Sequence, residues 1–255
     1  MRGSSRRPRV VALGLWLLWR RPATIASLVV AALGAIAAGL LSMRAAPAQA
    51  VQVPVLTAMV GAWSVGIMLA FSGALRAITN DARQGVIALV CARGVRTRDY
   101  ALGRMVALAA MVGLATGGAT LVAAMWSISA SGSALAALKT TCGAVAYCVT
   151  FAATIGPVAL AALGQGSRVA GYLSFLAVLV LPELAASWTS TVLPVGWHEL
   201  TSIPAALDAV RAGIESPRSE GLHAARALAV LGALIAISWA IVSSRAARAQ
   251  ARWDA

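Results

Sequence analysis

Residues 23–43 read ATIASLVVAALGAIAAGLLSM, and residues 55–75 read VLTAMVGAWSVGIMLAFSGAL; neither stretch carries a charge. Each has about the 20 residues that a helix needs to cross about 30 Å of hydrocarbon. Four more apolar stretches follow, at 106–128, 141–163, 169–188 and 225–243, the fifth with Pro182 and Glu183 near its far end and the sixth with Arg226 at its start. Six spans define an all-α integral membrane protein, a single transmembrane domain over 1–255, with both termini on one side of the bilayer. The composition agrees: 60% of the 255 residues are hydrophobic and 11% charged, too few to clothe a water-soluble globule of this size.

The charges that remain are unevenly placed. Sixteen of the 21 basic residues fall in the N-terminal segment (Arg2, Arg6, Arg7, Arg9, Arg20, Arg21), the connection between spans two and three (Arg76, Arg83, Arg93, Arg96, Arg98, Arg104), the turn at Arg168 and the C-terminal tail (Arg245, Arg248, Arg252). Arg44, Lys139, Arg211, Arg218 and Arg226 fall on the opposite side. Basic residues are retained in the cytoplasm, so both termini are expected there, in a multi-pass protein of the cell (inner or plasma) membrane. With three acids on the cytoplasmic side and five on the other, the net +13 lies wholly on the cytoplasmic face. It is a topology signal in contact with lipid, with no nucleic acid as a partner.

Ser5-Arg6-Arg7 before an apolar run has the look of a twin-arginine export signal, with Ala48-Gln49-Ala50 as its cleavage site. That run, however, is interrupted by Arg20-Arg21-Pro22, and the next one is long enough to span. The segment 9–20 is read instead as an amphipathic helix in the cytoplasmic interface, with Trp16 and Trp19 at headgroup depth. The alternative is that it extends the first span.

The longest cytoplasmic connection, residues 76–100, reads as structured. Thr79 or Asn80 is placed to N-cap a helix, and Asp81 in its first turn complements the helix dipole. The apolar run 86–92 follows, and Gly94 is a natural stop. Such a helix lies along the membrane surface and offers Asn80, Asp81, Arg83 and Gln84 to a cytoplasmic partner; the competing reading is a positively charged anchoring loop.

This segment, Asp81-Ala-Arg-Gln-Gly85-Val-Ile-Ala-Leu-Val and then Gly94-Val95-Arg96-Thr97-Arg98, resembles the one that follows the second span in permease subunits of ABC-2 type ABC transporters. The family pattern is commonly Glu-Arg-Glu-x-Gly-Thr-Leu-Glu-x-Leu-Leu, then Pro-Val-Ser-Arg. Gly85 and Val95 match it, Asp81 stands in place of Glu, Gly94 in place of Pro, and the closing base is shifted to Arg96 or Arg98. The short N-terminal helix and the six spans match the family's architecture over essentially the whole chain. The resemblance implies an elbow helix at the N-terminus and a coupling helix over Thr79, Asn80, Asp81, Arg83, Gln84, Gly85 and Gly94. It further implies cytoplasmic ABC ATPase subunits that carry the ATP and Mg, and a second permease, identical or related, as partners. This chain itself would be non-catalytic and bind no cofactor.

Residues 190–222 form the longest external segment. Short helices are expected over 192–197 and 203–213, with Pro204 in the first turn of the second and Gly213 its stop. The resemblance implies short external or re-entrant helices here. His198-Glu199 begins like a zinc-protease helix, but Ser202 stands where the second His is required, and no metal site is expected. No Gly-Lys-Ser/Thr occurs, so a Walker A segment is missing. Cys142 and Cys148 are six apart and face different ways on span four.

Glu183 is the one acid within a span: a candidate for a pathway or gate, or else a solvated residue at the helix mouth beside Pro182. Gly113-Leu-Ala-Thr-Gly117 in span three is read as a site of close packing within the subunit. So little charge inside the membrane favours an apolar or amphipathic substrate, and an ABC exporter half is the leading reading. The alternative is a stand-alone six-span channel or secondary transporter, for which inverted repeats, broken helices or buried charges are expected.

Overall fold

The computed structural model describes residues 7–164, 167–189 and 202–251. Every regular element among them is helical, and six helical segments are long and apolar enough to cross a bilayer, which makes the chain a multi-pass membrane protein. The segment 192–197, the pair His198-Glu199, and Arg2, Arg6, Arg252 and Asp254 lie outside the described residues.

The first helix, α1 (Arg7–Trp19), is separate from the first span α2 (Pro22–Arg44), because Arg21 adopts an extended conformation (φ −82°, ψ 127°) and Pro22 starts a new helix at its first turn. It does not extend the span. Val10 and Leu18 are buried: Val10 lies against Gly103 and Leu18 against Gly73, while Trp16 and Trp19 stay more than half exposed. The Arg20 guanidinium lies 3.9 Å from the centroid of the Trp16 ring.

A short turn of helix, α3 (Pro47–Ala50), leads into the second span, built from α4 (Val53–Gly61), a π-helical turn at Ala62–Gly66 and α5 (Ile67–Ala74). The π turn sets Trp63 inward, where its indole N–H donates to the Tyr147 hydroxyl at 2.7 Å and its ring meets Phe151 edge-on at 5.4 Å. Two short helices, α6 (Ala77–Arg83) and α7 (Val86–Ala92), connect to the long third span α8 (Thr97–Ala130). Gly132, at φ +65°, turns the chain into the fourth span α9 (Ala134–Leu163).

The α8–α9 hairpin is the centre of the molecule. Small residues let its backbones approach: a Cβ on Gly156 would stand 3.0 Å from the Ala109 nitrogen, and one on Gly113 would stand 3.4 Å from the Ala152 Cβ. Gly117 likewise faces Cys148, so the Gly113–Gly117 pair packs within the subunit as expected. Cys148 is buried there and Cys142 is exposed, on different faces as their spacing requires. Tyr147, Phe151, Ile155 and Leu160 make α9 the most enclosed of the spans.

The fifth span, α10 (Arg168–Thr189), is the most peripheral. Then α11 (Ile203–Glu215) begins at Ser202, whose side chain accepts from the Ala205 N–H at 3.3 Å, with Pro204 in the first turn as expected. It does not stop at Gly213. That residue instead admits Ala224 of α12 (Pro217–Ala251), whose Cβ would lie 2.3 Å from a Cβ added at Gly213. The sixth span, the shortest of the six candidate stretches, sits within the longest helix among the described residues.

Candidate functional site

The connection between spans two and three forms the candidate site. It departs from the expected single helix in a physically informative way. Gly85 adopts φ +68°, a left-handed conformation that a helix cannot continue through, and divides the segment into α6 and α7. Gly94, at φ +77°, closes α7, as expected of a stop. A third left-handed residue, Arg76 at φ +52°, starts α6 and is the one non-glycine with positive φ among the described residues.

Thr79 and Asn80 lie inside α6 and cap nothing. The Thr79 hydroxyl donates across the fold to the Gly164 carbonyl at 3.2 Å, and the Arg76 backbone N–H donates to the Leu163 carbonyl at 2.9 Å. Both acceptors belong to the C-terminal end of α9, whose last carbonyls have no partner within their own helix. A third such acceptor, the Ala161 carbonyl, takes the Arg245 guanidinium of α12. The start of the connection, span four and span six therefore converge on one helix end.

Asp81 also differs from its expected role. It is neither in the first turn of a dipole-complemented helix nor offered to a partner, but buried, with 5% of its surface exposed. Its Oδ2 lies 2.9 Å from Arg104 Nη2 of α8 and accepts from the Tyr100 hydroxyl one turn earlier. Arg104 is equally buried, and among the described residues neither its Nε nor Arg76 Nε has a hydrogen-bond partner. Arg21 stands close by, its guanidinium donating to the Ser72 carbonyl at the end of the second span. Burial pulls Arg21 below its ordinary pKa, Arg104 adds to that pull, and Asp81 opposes it. One carboxylate thus fastens α6 to the third span amid two guanidinium groups.

What the connection does present outward is Arg83 and Gln84 at the end of α6, Leu89 on α7, which is 59% exposed, and Gly94 with Arg96 and Arg98 beyond it. Ile87 and Val90 bury the other side of α7. The arrangement is a pair of short helices broken at Gly85, bolted at its first half and exposed at its second. Sequence reasoning missed Tyr100 and Arg104 as its anchors, although their i, i+4 spacing places both polar groups on one helix face.

Glu183 is exposed on α10 and accepts from the hydroxyl of Ser202, the residue that caps α11. It ties the fifth span to the start of α11. Arg211 on α11 pairs with Asp208 at 2.7 Å and Glu215 at 2.8 Å. Among the described residues no group of three His, Cys, Asp or Glu side chains is placed to hold a metal ion. A scan of family models finds no match to the chain, and a search of curated proteins finds none.

Proposed function

We propose that the chain is the permease subunit of an ATP-driven transporter of the ABC-2 type, an exporter half that pairs with itself or a relative and with two separate cytoplasmic ABC ATPase subunits. The observation that supports this reading is the connection between spans two and three. It presents a short helix with an exposed face and fastens the preceding helix to span three through Asp81–Arg104 and to span four through Thr79. A partner that pushes on α7 moves those spans rather than a slack loop.

In this reading both termini and the 76–96 connection are cytoplasmic, α1 is the elbow helix, and α6–α7 form the coupling element. The ATPase subunits bind ATP with Mg and close on it; closure displaces α7, the anchored α6 carries the displacement into α8 and α9, and a path at the permease interface changes the side to which it opens. The chain supplies no ATP chemistry. Its low content of intramembrane charge favours an apolar or amphipathic substrate.

The test is purification from native membranes through a tag on this chain, with the proteins that co-purify identified by mass spectrometry and assayed for ATP hydrolysis. Co-purification with ATPase activity is expected, and Leu89→Asp is expected to abolish both while leaving thermal unfolding of the permease unchanged. Failure of the wild-type chain to retain an ATPase, or a Leu89→Asp complex indistinguishable from wild type, would overturn the reading.

A further inference from the structure

Between α2 and the first half of span two, backed by α8, lies a cavity of about 940 Å³, towards the upper end of the roughly 300–1,000 Å³ typical of small-molecule sites. Its body is apolar and its walls are low, since Ala31, Gly34, Ala35 and Ala38 line it from α2. A Cβ added to Gly34 or to Gly61 on the opposite wall would meet nothing within 4 Å. The hydroxyls that reach it are spent on their own helices: Thr57 donates to the Val53 carbonyl, Ser64 to that of Val60 and Thr116 to that of Val112. Val30, Leu41, Leu56 and Val60 stand more than half exposed along it, so it opens sideways into the region of the acyl chains.

The polar groups that remain available sit together at one end, where span one passes into span two. Arg44, Gln49 and Gln52 are all exposed there, and Arg44 is the single charged residue among those lining the cavity. That end is held in place: the Ser127 hydroxyl of α8 donates to the Ala50 carbonyl at 2.7 Å, and Trp126 packs against Gly39. An apolar slot, open to lipid, capped by one guanidinium and two carboxamides and lined by no acid, complements an amphiphile with acyl chains and an anionic phosphate head.

We propose that this groove holds one anionic phospholipid, taken laterally from the leaflet at the span one–span two connection, with its phosphodiester on Arg44. The inference rests on the spans alone and not on the ATPase partnership. The full-length protein, purified and delipidated in detergent, is titrated with phosphatidylglycerol and, separately, phosphatidylcholine, and bound lipid is counted by native mass spectrometry. One phosphatidylglycerol per chain is expected, bound more tightly than phosphatidylcholine. Arg44→Ala is expected to weaken phosphatidylglycerol about five-fold, which corresponds to the about 1 kcal/mol typical of a basic residue at an anionic headgroup, and to leave phosphatidylcholine unchanged. Gly34→Trp, which fills the slot without meeting another atom at its Cβ, is expected to remove both lipids while circular dichroism and thermal unfolding stay as in wild type. Equal binding of the two lipids by wild type and Arg44→Ala, or undiminished binding by Gly34→Trp, overturns the proposal. So does efficient disulfide cross-linking between two chains carrying Leu56→Cys in native membranes, since a second copy would then cover the groove.

Discussion

Removing Asp81 leaves the Arg104 guanidinium, 5% exposed and already short of a partner at Nε, without its counter-charge, and leaves the Tyr100 hydroxyl without its acceptor. Stripping one member from a buried ion pair costs about 3–5 kcal/mol, because the survivor remains desolvated and unpaired. For a chain of this size each kcal/mol lowers the unfolding midpoint by about 2–4 °C, so Asp81→Ala is expected to lose roughly 6–20 °C. Removing both charges together is expected to cost far less, since Arg104→Met in the Asp81→Leu background places apolar groups of similar bulk where the pair stood. The assay is thermal unfolding in detergent followed by intrinsic tryptophan fluorescence, with Asp81→Leu, Arg104→Met and the double variant closing a double-mutant cycle beside Asp81→Ala. A midpoint within 2 °C of wild type for Asp81→Ala, or a double variant less stable than the single one, would refute the claim that this pair anchors α6 to span three.

Gly85→Ala meets no atom at its new Cβ, so its cost is purely conformational, about 1–2 kcal/mol at φ +68°, and Gly85→Asn is expected to be milder; the same unfolding assay ranks them. Thr79→Val removes one donor from the end of α9 and is expected to cost about 1 kcal/mol, a shift of about 2–4 °C. Tyr147→Phe leaves the Trp63 indole N–H without its partner and is expected to shift the tryptophan emission maximum, with a loss of about 1–3 kcal/mol. For topology, in a background without the native cysteines, Ser219→Cys is expected to react with an impermeant maleimide on intact cells and Gln84→Cys only after permeabilisation; the reverse pattern would invert the assigned orientation.

The spans were legible because hydrocarbon imposes a length and a polarity that few residues can mask: ATIASLVVAALGAIAAGLLSM has no other plausible fate. Within them the sequence is silent on facing, since Leu33, exposed in α2, and Leu108, buried in α8, are the same residue type. The candidate segment was legible in outline, and its boundary at Gly94 was correct, but its interior was not. Capping logic placed Asp81 in a first turn because local rules see only neighbours, whereas its position is decided by Arg104, 23 residues away on another helix. Gly85 was read as a motif residue rather than as a break, because a glycine within an apolar run is compatible with a weakened helix as well as with a stop. The π turn at Ala62–Gly66 left no sequence signal that distinguishes it from ordinary helix.

At 34 and 35 residues, α8 and α12 measure about 50 Å each at about 1.5 Å per residue, some 20 Å more than the hydrocarbon they cross. A rod that overhangs its support behaves as a seesaw. Tilting it by about 10° about the bilayer midplane carries each end sideways by roughly 4 Å, in opposite directions. Because Tyr100 and Arg104 sit on the overhang of α8, a modest sideways displacement of α6, which is fastened there, becomes an inward swing on one face of the membrane and an outward swing on the other.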